Sequence, residues 1–311
     1  MTQTMTAAAG RSGVKTRLRA LRAFAFPASV LPVFVATAAA APMGQWRWDL
    51  LLLTAMGVAC LHGTGNLLND YYDYHSGVDR KVEGDENRPG RCLVRGQLRP
   101  RDVLTLAAAC LALAAPICAY IVWQRGPGVF WFAAPAVVSL YCYTGPPLRL
   151  KYHALGELVI FITYGPLLLL GAAYVQTGRL EWPVFWASLP IGLATTAILI
   201  GNNLRDEDED GQAGIRTLTQ VLGRRPVRVL YVACVLASAL GLAVIGLVTP
   251  ARLLMAAPLV LAAAARPLGA VISGRRLPDI DAQTARYVAL LSVFAFVGYV
   301  VASYGIRGKL T

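Results

Sequence analysis

The chain reads as an all-α, polytopic membrane protein with nine transmembrane helices in one bundle. Three observations predict this. Of its 311 residues, 56% are hydrophobic and only 15% charged, with a mean hydropathy of +0.53, whereas soluble domains carry roughly 25% charge. Apolar stretches close to the ~20 residues that cross a bilayer recur along the whole length. Finally, Lys and Arg gather in every second loop, the asymmetry that sets orientation in a membrane.

The elements follow in order. Residues 1–19 are basic, with no short apolar core followed by a small-residue cleavage site, and read as a cytoplasmic tail rather than a signal peptide. Nine spans then cover about 20–42, 48–69, 102–124, 129–145, 154–176, 182–203, 227–248, 251–273 and 285–304. Together they make one domain, 20–304, with 305–311 as a short C-terminal tail. Pro, Gly and charge punctuate the joins at Pro42–Gly44, Arg125–Gly128, Gly145–Pro147, Thr177–Arg179 and Pro250. Counting residues at span edges with the adjoining loop, all but six of the 29 Lys and Arg lie before span 1 or between spans 2–3, 4–5, 6–7 and 8–9; the six are Arg47, Arg125, Arg179, Arg252, Arg307 and Lys309. The N-terminus is therefore expected in the cytoplasm and, after an odd number of spans, the C-terminus on the opposite side of a bacterial-type plasma membrane.

Composition also excludes. The net charge of +12 is spread over loops that flank apolar spans, not over one face, so no nucleic-acid partner is expected. The six cysteines are scattered, mostly in apolar segments, with no CxxC or Cys/His spacing, and read as small buried hydrophobes.

Two acid-rich clusters interrupt this apolar background. NLLNDYYDYHSGVD, residues 66–79, ends span 2, and NNLRDEDEDG, residues 202–211, ends span 6. Acids at the edge of a bilayer are costly and mark function. On a helix Asn66, Asn69, Asp70 and Asp73 share one face, as do Asn202, Asp206 and Asp210. Two such stacks of oxygen ligands suit Mg²⁺, which takes a few carboxylates and completes its shell with water and substrate phosphate. Asp79 is within reach from the following loop. Glu207, Asp208 and Glu209 fall off the ligand face and read as solvated. Spans 2 and 6, each ending in such a cluster and a long basic loop, suggest a weak internal duplication and are expected to lie side by side. Basic residues near the clusters, Arg88, Arg91, Arg95, Arg149, Lys151, Arg205 and Arg216, suit a clamp on a leaving diphosphate. His62, Thr64 and Asn66 are polar residues in or near the end of span 2; an interior His is more often a satisfied structural residue than a base.

On these motifs the chain resembles the UbiA-type intramembrane aromatic prenyltransferases over nearly its whole length. The carriers are residues 66–79, YTGPPLRLKYHALGE at 143–157, AYVQTG at 173–178, and NNLRDEDEDGQAGIRTL at 202–218 followed by LGRR. The two Asp motifs are specific to the superfamily; the other blocks look most like the branch that prenylates 1,4-dihydroxy-2-naphthoate in menaquinone biosynthesis. The resemblance implies a central cavity open to the cytoplasmic side, with a lateral opening for the isoprenoid tail. It implies Mg²⁺-dependent transfer of a polyprenyl group from a prenyl diphosphate to a small aromatic acceptor, giving demethylmenaquinol. Asp70, Asp73, Asp79, Asp206 and Asp210 would bind the metal. Asn66, Asn69, Arg22, Arg91, Arg149, Lys151, Asn202 and Arg216 would bind the diphosphate, and Asp73, Asp206, Lys151 and Tyr143 would be catalytic. Where the family often has Lys after the second motif, this chain has Ile215 followed by Arg216. Other aromatic acceptors, 4-hydroxybenzoate or homogentisate, stay open. So does a different class, a secondary transporter or cation channel using the acids, although such sites lie nearer the bilayer midplane.

Overall fold

A computed structural model describes residues 13–79 and 91–307. Arg88, the start of the N-terminal tail and the last four residues lie outside the described residues. The described chain is helical, apart from an isolated bridge between His153 and Arg216.

Eight helices are long and apolar enough to cross a membrane, and a shorter apolar one, Pro127–Cys142, joins them. In chain order they are α1 (Pro27–Ala40), α2 (Trp48–His75), α3 (Pro100–Arg125), α4 (Phe130–Cys142), α5 (Gly156–Thr177), α6 (Trp182–Arg205), α7 (Arg224–Val248), α8 (Arg252–Ser273) and α9 (Ile280–Arg307). This is the polytopic all-α bundle that hydropathy predicts.

The differences from expectation have local causes. Span 1 is not one helix from residue 20. A short helix, Val14–Ala20, ends at Arg22, whose backbone turns left-handed (φ 52°), and α1 restarts at Pro27. Pro suits a first helical turn, where its missing N–H is not needed. Span 4 is cut short by Pro127 and Gly128 on one side and by the Gly145–Pro146–Pro147 turn on the other. Helix α2 runs past the expected end to His75, so the first acid cluster stays helical.

The best-buried half of the molecule is the packing of α1, α6, α7 and α9. Leu242, Tyr231, Tyr287 and Leu291 are wholly buried there. Backbone groups inside a bilayer are satisfied within helices, and side-chain hydroxyls must find partners across them. They do. Tyr231 Oη lies 2.7 Å from Thr284 Oγ1, and Tyr287 Oη lies 2.8 Å from Ser238 Oγ. These bonds fix α9 against α7.

Helix α5 carries a π-turn at Thr163–Leu167 around Pro166. Proline cannot donate to the preceding turn, and the wider turn absorbs the clash. Beside it the backbones of α5 and α6 nearly touch. A Cβ on Gly165 would sit 3.0 Å from Gly192 Cα and 3.0 Å from the Ser188 carbonyl. Gly165→Val is therefore expected to separate α5 from α6 and cost about 1–3 kcal/mol, read as a lower thermal midpoint in detergent. A variant as stable as the parent would contradict the close approach.

Candidate active site

A large cavity of about 690 Å³ runs into the bundle. Its floor and walls are apolar, formed by residues such as Leu61, Ile117, Phe132, Leu168 and Val175. Its mouth is where both acid clusters end. Of the residues singled out from sequence, Arg22, Asn66, Asn69, Asp73, Asp79, Arg91, Tyr143, Lys151, Asn202, Asp206 and Asp210 line it.

The first cluster is organised by α2 and the loop after α4. Asp73 is buried, and its carboxylate accepts from Lys151 Nζ at 2.7 Å and from the Tyr152 hydroxyl. Lys151 Nζ also lies 3.5 Å from Asn69 Oδ1. Burial alone would disfavour the Lys151 ammonium, but Asp73 overrides it and holds the group well above the usual lysine range. Tyr143 is half-buried at the cavity wall, and desolvation pushes its phenol up. The lysine is delivered by a compact turn in which Lys151 N–H donates to the Tyr143 carbonyl at 2.8 Å.

Asp70 behaves differently. It forms an ion pair with Arg22 at 2.6 Å and does not line the cavity. The left-handed turn at Arg22 aims the guanidinium at it, and Asn66 Nδ2 donates to the Leu21 carbonyl at 2.9 Å, pinning the same segment. Helical phase accounts for the split, since Asn69 and Asp73 lie on one side of Asn66 and Asp70 on the other.

The second cluster is not one helical stack. Helix α6 ends at Arg205, and Asp206 sits at a break before a short helix, Glu207–Ala213. Arg205 grips Asp206 through two bonds, Nε at 2.7 Å and Nη2 at 2.8 Å, and pairs with Asp281 of α9 at 2.9 Å. The break also turns Glu209 into the cavity, where it pairs with Arg91 at 2.8 Å. The expectation that Glu209 is solvated is thus corrected. Asp208 is half exposed on the outside and pairs with Arg276. Glu207 pairs with Arg224.

Two residues singled out from sequence lie elsewhere. Arg149 is exposed on the loop, and Arg216 is exposed beside its bridge to His153. Neither lines the cavity. Conversely, Asp281 lines it and was not singled out from sequence. Spans 2 and 6 are also not packed side by side as expected. Helix α2 packs chiefly on α3, and α6 on α5, α7 and α9, while α1 touches both α2 and α6. The two acid-bearing ends face each other across the cavity.

The donor set fits a hard divalent cation. Asn202 Oδ1 is buried and accepts no hydrogen bond. Asp210 is pushed up to about 7 by burial, with Lys151 pulling the other way and Asp206 and Asp73 adding to the rise. Asp79 is pushed up to about 6 by burial and by Asp73. Crowded carboxylates with a spare amide oxygen are the environment a cation relieves. Among the described residues, no three His, Cys, Asp or Glu side chains converge as a ready-made cage. Mg²⁺ does not require one, because water and substrate phosphate supply much of its shell.

Comparison with known proteins agrees with this architecture. The UbiA prenyltransferase family profile matches residues 29–294. "UbiA prenyltransferase domain-containing protein 1" of Danio rerio is 36% identical over 293 residues, covering 92% of this chain and 84% of that protein. Its Homo sapiens counterpart is 32% identical over 299 residues, covering 94% and 85%. The fold is similar to that of a UbiA homolog from Archaeoglobus fulgidus solved bound to GPP and Mg²⁺, with a TM-score of 0.67 at 18% identity over 92% of this chain and 99% of that one. An apo UbiA homolog from Aeropyrum pernix K1 gives 0.64 at 19% identity over 90% and 98%. With matching sequence over almost all of the bundle, and paired acid motifs at the mouth of one apolar cavity, the chain belongs to the UbiA prenyltransferase family and is an integral-membrane prenyltransferase.

Proposed function

We propose that the chain transfers a polyprenyl group from a prenyl diphosphate to a small aromatic acceptor in a Mg²⁺-dependent reaction, with 1,4-dihydroxy-2-naphthoate as the first acceptor to test and demethylmenaquinol as its product. The observation that carries this reading is the shape of the cavity: acids from two separate helices and one buried lysine at the mouth, and a long apolar interior behind them. The A. fulgidus homolog bound to GPP and Mg²⁺ supports the donor and the metal. The naphthoate branch rests on the YTGP, Gly156–Glu157 and YVQTG blocks.

In this reading Asp73, Asp79, Asp206 and Asp210 hold the cation, Asp70 steadies that group through Arg22, and Asn69 and Asn202 supply amide oxygens. Bound Mg²⁺ would neutralise the diphosphate and make it a better leaving group. Lys151 and Arg91 donate to the diphosphate oxygens as negative charge builds there. Asn66 and Arg22 set the position of the chain before α1. Arg149 and Arg216, on the outer rim, attract the anionic substrate. The allylic carbon, freed of its diphosphate, is shielded from water by the apolar walls and by Tyr143, whose neutral ring face favours a cation. Residues 20–304 form the catalytic domain between tails 1–19 and 305–311. The N-terminus and the mouth face the cytoplasm and the C-terminus the other side, which cysteine labelling of the two termini would test.

Mass spectrometry of lipids made by membranes carrying the chain, given prenyl diphosphate, Mg²⁺ and a panel of aromatic acceptors, tests the function. The expected product is a prenylated arene, formed fastest from the naphthoate. Activity with another acceptor alone would move the acceptor; no prenylated arene from any would remove the reading. Proton competition gives a second expectation. A protonated carboxyl is a poor ligand, and Asp79 and Asp210 take up protons near pH 6 and 7. Half-saturating Mg²⁺ should therefore rise as pH falls from 8 to 5.5 in a Mg²⁺ titration of activity, and a flat dependence would count against both residues as ligands.

A further inference from the structure

Well below the acid mouth an imidazole forms part of the cavity wall. His62 lies on α2, four residues before Asn66, and lines the cavity. Its Nδ1 is 2.7 Å from Ser29 Oγ on α1. Ser29 is fully buried, and its hydroxyl donates to the Phe26 carbonyl at 3.0 Å. With its own proton committed, Ser29 Oγ accepts from His62, so the proton of the neutral imidazole sits on Nδ1. The lone pair is left on Nε2. The ring is held by Phe26, centroids 5.4 Å apart, and by an edge contact with Tyr164 at 5.6 Å. Tyr164 is placed there by the π-turn of α5.

The position matters as much as the tautomer. His62 is seven residues from Asn69 along α2, about 10 Å by helical rise. That interval separates the diphosphate end of the cavity from the imidazole, and it accommodates an allylic carbon followed by one aromatic ring. The cavity carboxylates all belong to the mouth; Asp73, on the same helix, is about 16 Å farther up by the same rise. The other charged or titratable groups that line the cavity are Arg22 ahead of α1, Arg91 before α3, Cys118 on α3, Tyr143 and Lys151 after α4, Tyr164 on α5 and Arg205 at the end of α6. None of them offers the lone pair of a neutral ring nitrogen; His62 does.

We propose that His62 contacts the aromatic acceptor and is the base that takes its hydroxyl proton, with Ser29 fixing the tautomer. The proposal rests on the aromatic-acceptor reading above. The hydroxyl O–H bond breaks, its proton goes to Nε2, and its electrons move into the ring. A ring carbon then forms the bond to the allylic carbon, whose C–O bond breaks with the pair leaving on the diphosphate. Loss of H⁺, or of CO₂ where that carbon bears a carboxylate, restores the aromatic ring.

The test uses the full chain in lipid nanodiscs with geranyl diphosphate, Mg²⁺ and 1,4-dihydroxy-2-naphthoate. His62→Gln places an amide oxygen near the Nε2 position but cannot take a proton. We expect kcat to fall about 10²-fold or more, the usual worth of a positioned base, with the KM for geranyl diphosphate unchanged. With Mg²⁺ kept saturating at each pH, the variant's rate should climb with pH as the acceptor ionises unaided. An unchanged kcat, or a loss matched by a higher KM for geranyl diphosphate, would overturn the proposal. If His62→Gln is not monodisperse, Ser29→Ala takes its place: a lower kcat with an unchanged KM for geranyl diphosphate is expected, and a parental kcat overturns the idea. The wild-type arm is separate, because no prenylated arene there removes the acceptor reading and this inference with it.

Discussion

Asp73→Asn is expected to abolish prenyl transfer while leaving the bundle folded. The carboxylate sits between Lys151 and the Tyr152 hydroxyl at the cavity mouth. Asn keeps the shape and an acceptor oxygen but loses the charge that holds a cation. Loss of one such ligand should cost at least ~10²-fold in kcat, or several kcal/mol of transition-state stabilisation. Asp206→Asn is expected to behave the same way, and also to release Arg205, which now bridges Asp206 and Asp281. Asp208→Asn is the control. Its partner is Arg276, on the outer surface, so activity should stay within about twofold of the parent, since a surface ion pair contributes ~1 kcal/mol at most. Thermal midpoints in detergent establish folding first, and turnover with prenyl diphosphate, Mg²⁺ and acceptor follows. Near-parental rates in both Asp73→Asn and Asp206→Asn would remove the metal–diphosphate reading.

Lys151→Met should be nearly as damaging for a different reason. The ammonium is buried, stays charged throughout the accessible pH range because of Asp73, and reaches both Asp73 and Asn69. It is the cation best placed to meet a diphosphate as its bond to carbon breaks. Removing one preorganised donor of this kind typically costs 10²–10³-fold in kcat. Met preserves the apolar stem and removes the charge. Lys151→Arg should recover part of the rate, since the charge returns with a wider head group. The double variant Lys151→Met with Asp73→Asn should be far from additive, as expected of groups that act as a unit. Additive losses, measured as kcat/KM for the prenyl diphosphate, would mean the two residues serve separate sites.

The legible part of this molecule is what depends on local pattern. Span count follows from runs of apolar residues, and the first acid face follows from helical phase because α2 continues unbroken to His75. Phase reasoning broke down at the second cluster. Helix α6 stops at Arg205, and the new axis after Asp206 brings in Glu209, which the straight-helix reading had left in water. Long-range partners were illegible for a different reason. Nothing in the segment around Asp281 announces that α9 will carry it to the cavity mouth, and nothing near Arg22 predicts a left-handed turn aimed at Asp70. His62 stood out only as a polar residue in an apolar run. Its meaning depends on Ser29, 33 positions earlier in the chain.

The central claim is that both acid motifs act on one metal–diphosphate. A structure of the chain with Mn²⁺ and an unreactive prenyl thiodiphosphate, with the metal located by anomalous scattering, tests it most directly. The account predicts a single diphosphate at the cavity mouth, with metal about 2 Å from carboxylate oxygens of both the 66–79 and the 202–210 segments. Metal and diphosphate bound to one segment only, with the other still held by its Arg or Lys partner, would contradict it.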